Sequence, residues 1–338
     1  MNRAASPPLT TGTGRLSRRR FLAASAVAAL ACQRPVFAAR NTRPTHKYID
    51  IHTHLGAFHA GQNVSVKGLL GWMDEHDVER AVVLPLVSPE AAPRLQAMQT
   101  SDAAIEAAQA HPDRLIAFCC LDPRVTTTNP ARYGHVDGVR GMTEILKRYQ
   151  DAGARGFGEH KVGLPFDHPQ MMQLYEVCDS LELPILFHLD DLRGIDTPGL
   201  PRLENVLKAF PKLPLIGHAC GFWSSISGDA TKEDFGRYPT PPKPITPGGA
   251  LDRLMDAYGN LYCDISEPGG AIALTRDPAF AREFVTRRAD RLLFGSDYLA
   301  PGQQIPQFEI LSAMNLPDEV QYKIHRGNAI RILRLAGT

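Results

Sequence analysis

The chain has 338 residues, 43% of them apolar and 22% charged, with 37 basic against 36 acidic side chains. This is the balance of an ordinary globular protein with material for one large core or two small ones, and neither an internal repeat nor a heptad run is present. Six of the basic residues lie in the first 39 positions, where no acid occurs, so the rest of the chain carries 31 basic against 36 acidic residues, a poor electrostatic match for DNA or RNA.

The first segment reads as a targeting signal. Ser17-Arg18-Arg19-Arg20-Phe21-Leu22 precedes the alanine-rich run 23–31, which is too short to cross a bilayer as a stable helix. A twin arginine before a mildly apolar stretch resembles a bacterial twin-arginine export signal, with small residues near Ala38 and Ala39 for cleavage. The expected organisation is a signal peptide at 1–39 and a single catalytic domain at 40–338, exported to the periplasm. Cys32 follows Ala29-Leu30-Ala31, a poor context for a lipid anchor. The five remaining cysteines, Cys119, Cys120, Cys178, Cys220 and Cys263, are odd in number and lack zinc-knuckle spacing, so buried thiols are expected.

From about residue 47 short apolar runs alternate with amphipathic ones. The strand-like runs cover 48–54, 81–86, 115–121, 154–161, 184–188, 215–218, 261–264 and 292–297. Helix candidates lie near 65–76, 91–110, 140–152, 169–182, 201–210, 248–258, 278–288 and 317–335. Strands that alternate with helices build a parallel sheet, and eight such units predict an α/β fold of the (β/α)₈ TIM-barrel type. A doubly wound open sheet is the rival, but no glycine-rich phosphate loop follows the first strand. Residues 221–247, rich in proline (Pro239, Pro241, Pro242, Pro244, Pro247), are a long connection after the sixth strand. A loop of this length is expected to act as a partial lid, with Trp223 as a candidate substrate contact.

Several strand-like runs end in a potential ligand. In Asp50-Ile51-His52-Thr53-His54 the two histidines share a face by strand alternation. Glu159, His188, His218 and Asp297 close the fourth, fifth, sixth and eighth runs. Imidazole and carboxylate suit zinc or a similar divalent ion. By alternation Glu159 and Lys161 share one face and His160 takes the other. An inward Glu159 would allow two ions; a plain Glu159–Lys161 pair is the alternative.

The ordered set resembles the amidohydrolase superfamily of metal-dependent barrels, and within it the group that includes aminocarboxymuconate-semialdehyde decarboxylase and aromatic-acid decarboxylases. The resemblance rests on Asp50-Ile51-His52-Thr53-His54, His111-Pro112-Asp113-Arg114, His188, His218, Phe294-Gly295-Ser296-Asp297-Tyr298 and Gly327-Asn328-Ala329. It implies metal ligation by His52, His54, His188 and Asp297, and a catalytic or second-metal role for His218. At the fourth strand, Gly156-Phe157-Gly158-Glu159 resembles the TatD-type nucleases, and two-metal members of the superfamily bridge their ions by a fourth-strand carboxylate or a carboxylated lysine. The negative charge outside the signal opposes nuclease activity.

The expected function is a metal-dependent hydrolase acting on an amide, ester or lactone of a small, anionic substrate, with one or two ions, zinc foremost. A divalent ion lowers the pKa of water to about 7. Asp297 is expected to accept and return the proton, and His218 to orient the water or stabilise an oxyanion. Lys161 and Arg193 are candidates for binding a substrate carboxylate. The alternative within enzymes is a non-oxidative decarboxylase or hydratase, and from another class, a non-catalytic ligand-binding barrel. A homo-oligomer is left open.

Overall fold

Apolar, β-branched and aromatic residues place Tyr48–Thr53 in the first strand, β1, and all six are buried. Seven more barrel strands follow: β2 (Val78–Val83), β3 (Leu115–Ala117), β4 (Phe157–His160), β5 (Ile185–His188), β6 (Leu215–His218), β7 (Leu261–Asp264) and β8 (Leu292–Leu293), and two short strand pairs lie outside the barrel sheet. The computed structural model describes residues 45–59, 62–86, 100–124, 138–238 and 243–335; the expected signal segment lies outside these.

The strands pair in parallel in chain order, β1–β2–β3 and β4–β5–β6–β7–β8. Two seams join the arcs. Cys119, just past β3, bridges Phe157 of β4. At the other seam the Ile51 N–H donates to the Phe294 carbonyl at 3.0 Å, and the Asp297 N–H donates to that of His52 at 2.8 Å. This is the expected barrel, closed on itself.

Side chains alternate between two cores. Ile49, Ile51, Val82, Ile116, Leu186, Ile216, Tyr262 and Leu293 form one cluster, the filling of the barrel, to which the C-terminal helix Asn328–Ile332 adds Ala329 and Ile332. Their strand neighbours, among them Tyr48, Ala81, Leu115, Phe187, Leu215 and Phe294, join the surrounding helices in the larger cluster. Packed helices include Val66–Glu75, Ser101–Ala110, Gly138–Asp151, Pro169–Ser180, Pro201–Ala209, Ala250–Ala257 and Pro278–Arg287. Thr100 and Asp277 cap two of these by accepting a backbone N–H.

Several elements lie outside the sequence-based expectation. Glu267–Thr275 is a helix although it contains Pro268, Gly269 and Gly270. Its proline stands in the first turn, where a missing N–H costs nothing. Gln307–Ala313 is a second short helix. Within the 221–247 connection, the short helix Cys220–Ser224 and a single turn at Glu233–Phe235 are packed down by buried Phe222, Trp223, Ile226 and Phe235. Residues 239–242 of the expected lid lie outside the described residues. Cys119, Cys120, Cys178 and Cys263 are buried free thiols and Cys220 a half-buried one, as the odd count implied. Among the described residues no helix is long and apolar enough to cross a membrane.

Candidate metal centre

Irregularities at the strand ends aim the polar residues. The β1–β2 register shifts between Asp50 and Thr53, so Ile51 fills the barrel while His52 and His54 both reach its mouth. The β4–β5 register shifts between Phe157 and His160. Glu159 and Lys161 lie together on the mouth side, and His160 points the other way, its Nε2 3.2 Å from Met171 Sδ. Asp297, after β8, adopts φ 53°, a left-handed conformation that aspartate tolerates better than most residues. Its carbonyl accepts from Gln303 Nε2 at 2.8 Å.

The result is one buried cluster. His52 Nε2 and His54 Nε2 are 3.1 Å apart, and Asp297 Oδ1 is 3.3 Å from each. Glu159 Oε2 lies 3.6 Å from His52 Nε2 and 3.4 Å from His54 Nε2. Four donor atoms around a zinc ion at about 2.0–2.1 Å would be separated by about 3.3–3.4 Å. The five separations given, 3.1–3.6 Å, are compatible with donors gathered on one divalent ion. Asp297 Oδ1 is buried without a hydrogen-bond donor among the described residues, which is costly unless a cation satisfies it.

The other oxygen of Glu159 faces a second group. Glu159 Oε1 is 3.0 Å from His188 Nδ1 and 3.0 Å from His218 Nε2, and these two nitrogens are 3.1 Å apart. His52, His54 and Glu159 are close enough to hold one ion, and Glu159, His188 and His218 another, so Glu159 belongs to both; His52, His218 and Asp297 form a third such grouping across them. All six residues singled out in the sequence thus converge.

Electrostatics agree with a cation site. Burial would lower the His52 pKa, but the Asp297 and Asp264 carboxylates hold it well above the ordinary value. Burial would raise Glu159, yet the Lys161 ammonium, at 2.7 Å from Oε2, and three histidines hold it well below the usual carboxylate range. Asp297 is likewise held low, against its burial, by His52 and His54. Beneath the cluster, burial pushes the Asp50 carboxyl up to about 7. Its Oδ1 accepts from the backbone N–H groups of His52 at 2.9 Å and Ser296 at 3.1 Å, which ties β1 to the segment after β8.

Residues 49–335 match the family model described as amidohydrolase. The chain belongs to the amidohydrolase family. No curated protein matches it by sequence. Among solved structures, this amidohydrolase-family barrel is similar to an uncharacterized TIM-barrel protein from Bordetella bronchiseptica (17% identity, 86% of this chain and 99% of that one, TM-score 0.59). It is also similar to a probable 2-pyrone-4,6-dicarboxylic acid hydrolase from Acinetobacter baumannii with citric acid bound (15%, 86% and 100%, TM-score 0.55). A third is a dihydroxybenzoic acid decarboxylase from Polaromonas sp. with bound manganese and the inhibitor 2-nitroresorcinol (16%, 87% and 98%, TM-score 0.52). Identities this low speak to the shared fold.

The remaining candidates of this amidohydrolase-family site stand around the cluster. Arg193 Nη1 donates to Asp190 Oδ2 at 2.5 Å and lies 3.5 Å from His188 Nε2. Trp223 is buried in the wall, and its indole N–H donates to the Asp264 carbonyl at 2.9 Å. Three residues outside the sequence-based candidates orient the histidines. Asp190 Oδ2 lies 3.0 Å from His188 Nε2, Asp264 Oδ2 lies 2.6 Å from His52 Nδ1, and Ser266 Oγ lies 3.1 Å from His218 Nδ1. The signal was present, since Asp264 closes the seventh strand as Asp297 follows the eighth. Gly295 makes room for this arrangement, because a Cβ there would meet Asp264 Oδ1 at 2.2 Å and His52 Cβ at 3.1 Å.

Proposed function

We infer that the protein is a two-metal hydrolase that cleaves an amide, ester or lactone bond of a small anionic substrate at the barrel mouth. The observation that carries this reading is Glu159, whose two oxygens face two separate histidine pairs. His52, His54, Asp297 and Glu159 Oε2 would hold one ion; His188, His218 and Glu159 Oε1 would hold the other. The set is all nitrogen and oxygen, and zinc is the ion it suits best. Such ions would supply Lewis acidity toward the substrate oxygen and acidify a water molecule at neutral pH.

The protein's own groups carry the protons and the orientation. With Asp297 Oδ1 facing the ion position, the other oxygen of this carboxylate would accept the proton of the attacking water and return it to the leaving group. His218, 3.0 Å from Glu159 Oε1, would help hold the second ion, whose charge would stabilise an oxyanion. Lys161 and Arg193 bring two positive charges to the rim, and Arg193 keeps a third of its side chain open to solvent. Each has donors left after its carboxylate contact, which suits a substrate carboxylate. Trp223 backs Asp264 behind this surface. The twin-arginine segment fits delivery of the folded, loaded enzyme to the periplasm.

A metal-dependent non-oxidative decarboxylase is the second reading, favoured by the likeness to the manganese-containing decarboxylase from Polaromonas. One experiment separates the two. The zinc-loaded and manganese-loaded proteins are assayed against small carboxylated lactones, esters and amides, and against hydroxylated aromatic acids, in ¹⁸O-labelled water. Hydrolysis predicts one ¹⁸O in the product and no carbon dioxide. Carbon dioxide released without ¹⁸O in the organic product would replace it with the decarboxylase.

A further inference from the structure

Each histidine of the centre has one ring nitrogen turned inward and one held from behind. For His54 the rear contact is a backbone carbonyl, Leu84, at 3.0 Å from Nδ1. For His188 it is Asp190, at 3.0 Å from Nε2. A carbonyl and an ionised carboxylate only accept, so the rear nitrogen of each ring carries the proton and the inward one presents its lone pair. His52 and His218 differ, because both depend on the same group.

Asp264 is fully buried at the end of β7. Its Oδ1 accepts from the Ser266 backbone N–H at 2.9 Å. Its Oδ2 contacts His52 Nδ1 at 2.6 Å and accepts from Ser266 Oγ at 2.7 Å. The Ser266 proton is thereby committed to Asp264, which leaves Oγ a lone pair for His218 Nδ1 at 3.1 Å. The same oxygen lies 3.3 Å from His52 Nδ1. Following the protons outward from one carboxylate, both rings must be Nδ1–H tautomers with Nε2 free. His52 belongs to one ion position and His218 to the other.

We propose that Asp264 and Ser266 form a single relay that sets the tautomers of His52 and His218 together, and so couples the two halves of the centre through the end of β7. Both are positioning residues. The coupling rests on the two-ion reading, whereas the tautomer assignment stands whether one ion binds or two.

The geometry separates two substitutions. Ser266→Ala removes the support of His218 and leaves the Asp264–His52 contact. Asp264→Asn reverses both rings. The amide oxygen must stay on the Oδ1 side to accept from the Ser266 backbone, so the amide NH₂ takes the place of Oδ2. It then donates to Ser266 Oγ and faces His52 Nδ1 with a proton, which drives both rings toward Nε2–H and places protons where the lone pairs were.

The test uses the zinc-loaded protein with ¹⁵N-labelled histidine. In the unsubstituted protein, ring ¹⁵N shifts should report His52 and His218 as Nδ1–H with slowly exchanging protons. Ser266→Ala should speed exchange of the His218 proton only, and lower zinc affinity, measured by chelator competition, about 10–100-fold at one position while the other stays within about threefold. Asp264→Asn should alter both rings and weaken both positions. An Nε2–H tautomer for His218 in the unsubstituted protein would overturn the proposal, as would a Ser266→Ala protein with unchanged exchange at His218. Should Asp264→Asn fail to fold, the near-isosteric Ser266→Ala protein decides alone. A single ion in the unsubstituted protein would refute the two-ion reading and the coupling with it, while the ring protons still judge the tautomer relay.

Discussion

Replacing Glu159 by glutamine should convert the centre from two ions to one, for a reason that can be worked atom by atom. Lys161 Nζ lies 2.7 Å from Glu159 Oε2, and the two side chains are 10% and 0% exposed. An ammonium cannot accept a hydrogen bond, so the amide oxygen of the substituted side chain must take the Oε2 position. The NH₂ group then occupies the Oε1 position, 3.0 Å from both His188 Nδ1 and His218 Nε2, and its two protons fill those lone pairs. The first position keeps a neutral oxygen beside His52, His54 and Asp297. Losing the buried partner of Lys161 should cost about 3–5 kcal/mol in the metal-free protein. Two assays read this. Elemental analysis after zinc dialysis should fall from two ions per chain to one, and urea unfolding of the metal-free variant should show a loss of about 3 kcal/mol or more, within that range. A Glu159→Gln protein that keeps two ions at unchanged affinity would refute the bridging role.

Other consequences follow from the same geometry. His52→Ala and Asp297→Ala should each lose metal and turnover while keeping the far-ultraviolet circular dichroism of the folded barrel; full metal content in both would sink the ligand assignment. Burial pushes the His325 imidazole, away from the centre against Tyr48, down to about 4. A histidine depressed in the folded state stabilises fully above its unfolded pKa of about 6.5, and that stability is lost as pH falls from about 6.5 to about 4, a total of about 3 kcal/mol. His325→Phe should flatten this part of the acid-unfolding curve, and an unchanged slope would contradict the burial argument. For export, Arg18→Lys with Arg19→Lys should leave an active, metal-loaded precursor in the cytoplasm. Normal arrival of this variant in the periplasm would point to general secretion instead.

The barrel and the convergence of the candidate ligands were legible in the sequence because both follow from short-range pattern. Strand alternation put His52 with His54 and Glu159 with Lys161, and the apolar runs before His188 and His218 marked those residues as strand ends. What pattern could not carry was contact between distant segments. Asp264 meets His52 across 212 positions, and Ser266 meets His218 across 48. Asp264 is marked locally only as a polar strand end, and Ser266 not at all. The helix Glu267–Thr275 was hidden because proline and glycine read as a turn when their place in the first helical turn is unknown. The phase change within β1 was equally invisible, since it comes from pairing with β2.

The central claim is that Glu159 joins two ion positions, and anomalous diffraction from crystals of the zinc-loaded protein tests it most directly. Two peaks about 3.5–4 Å apart are predicted. One should lie among His52, His54 and Asp297, the other between His188 and His218, with one Glu159 oxygen on each. A single peak, or a pair that Glu159 does not touch, would contradict the account.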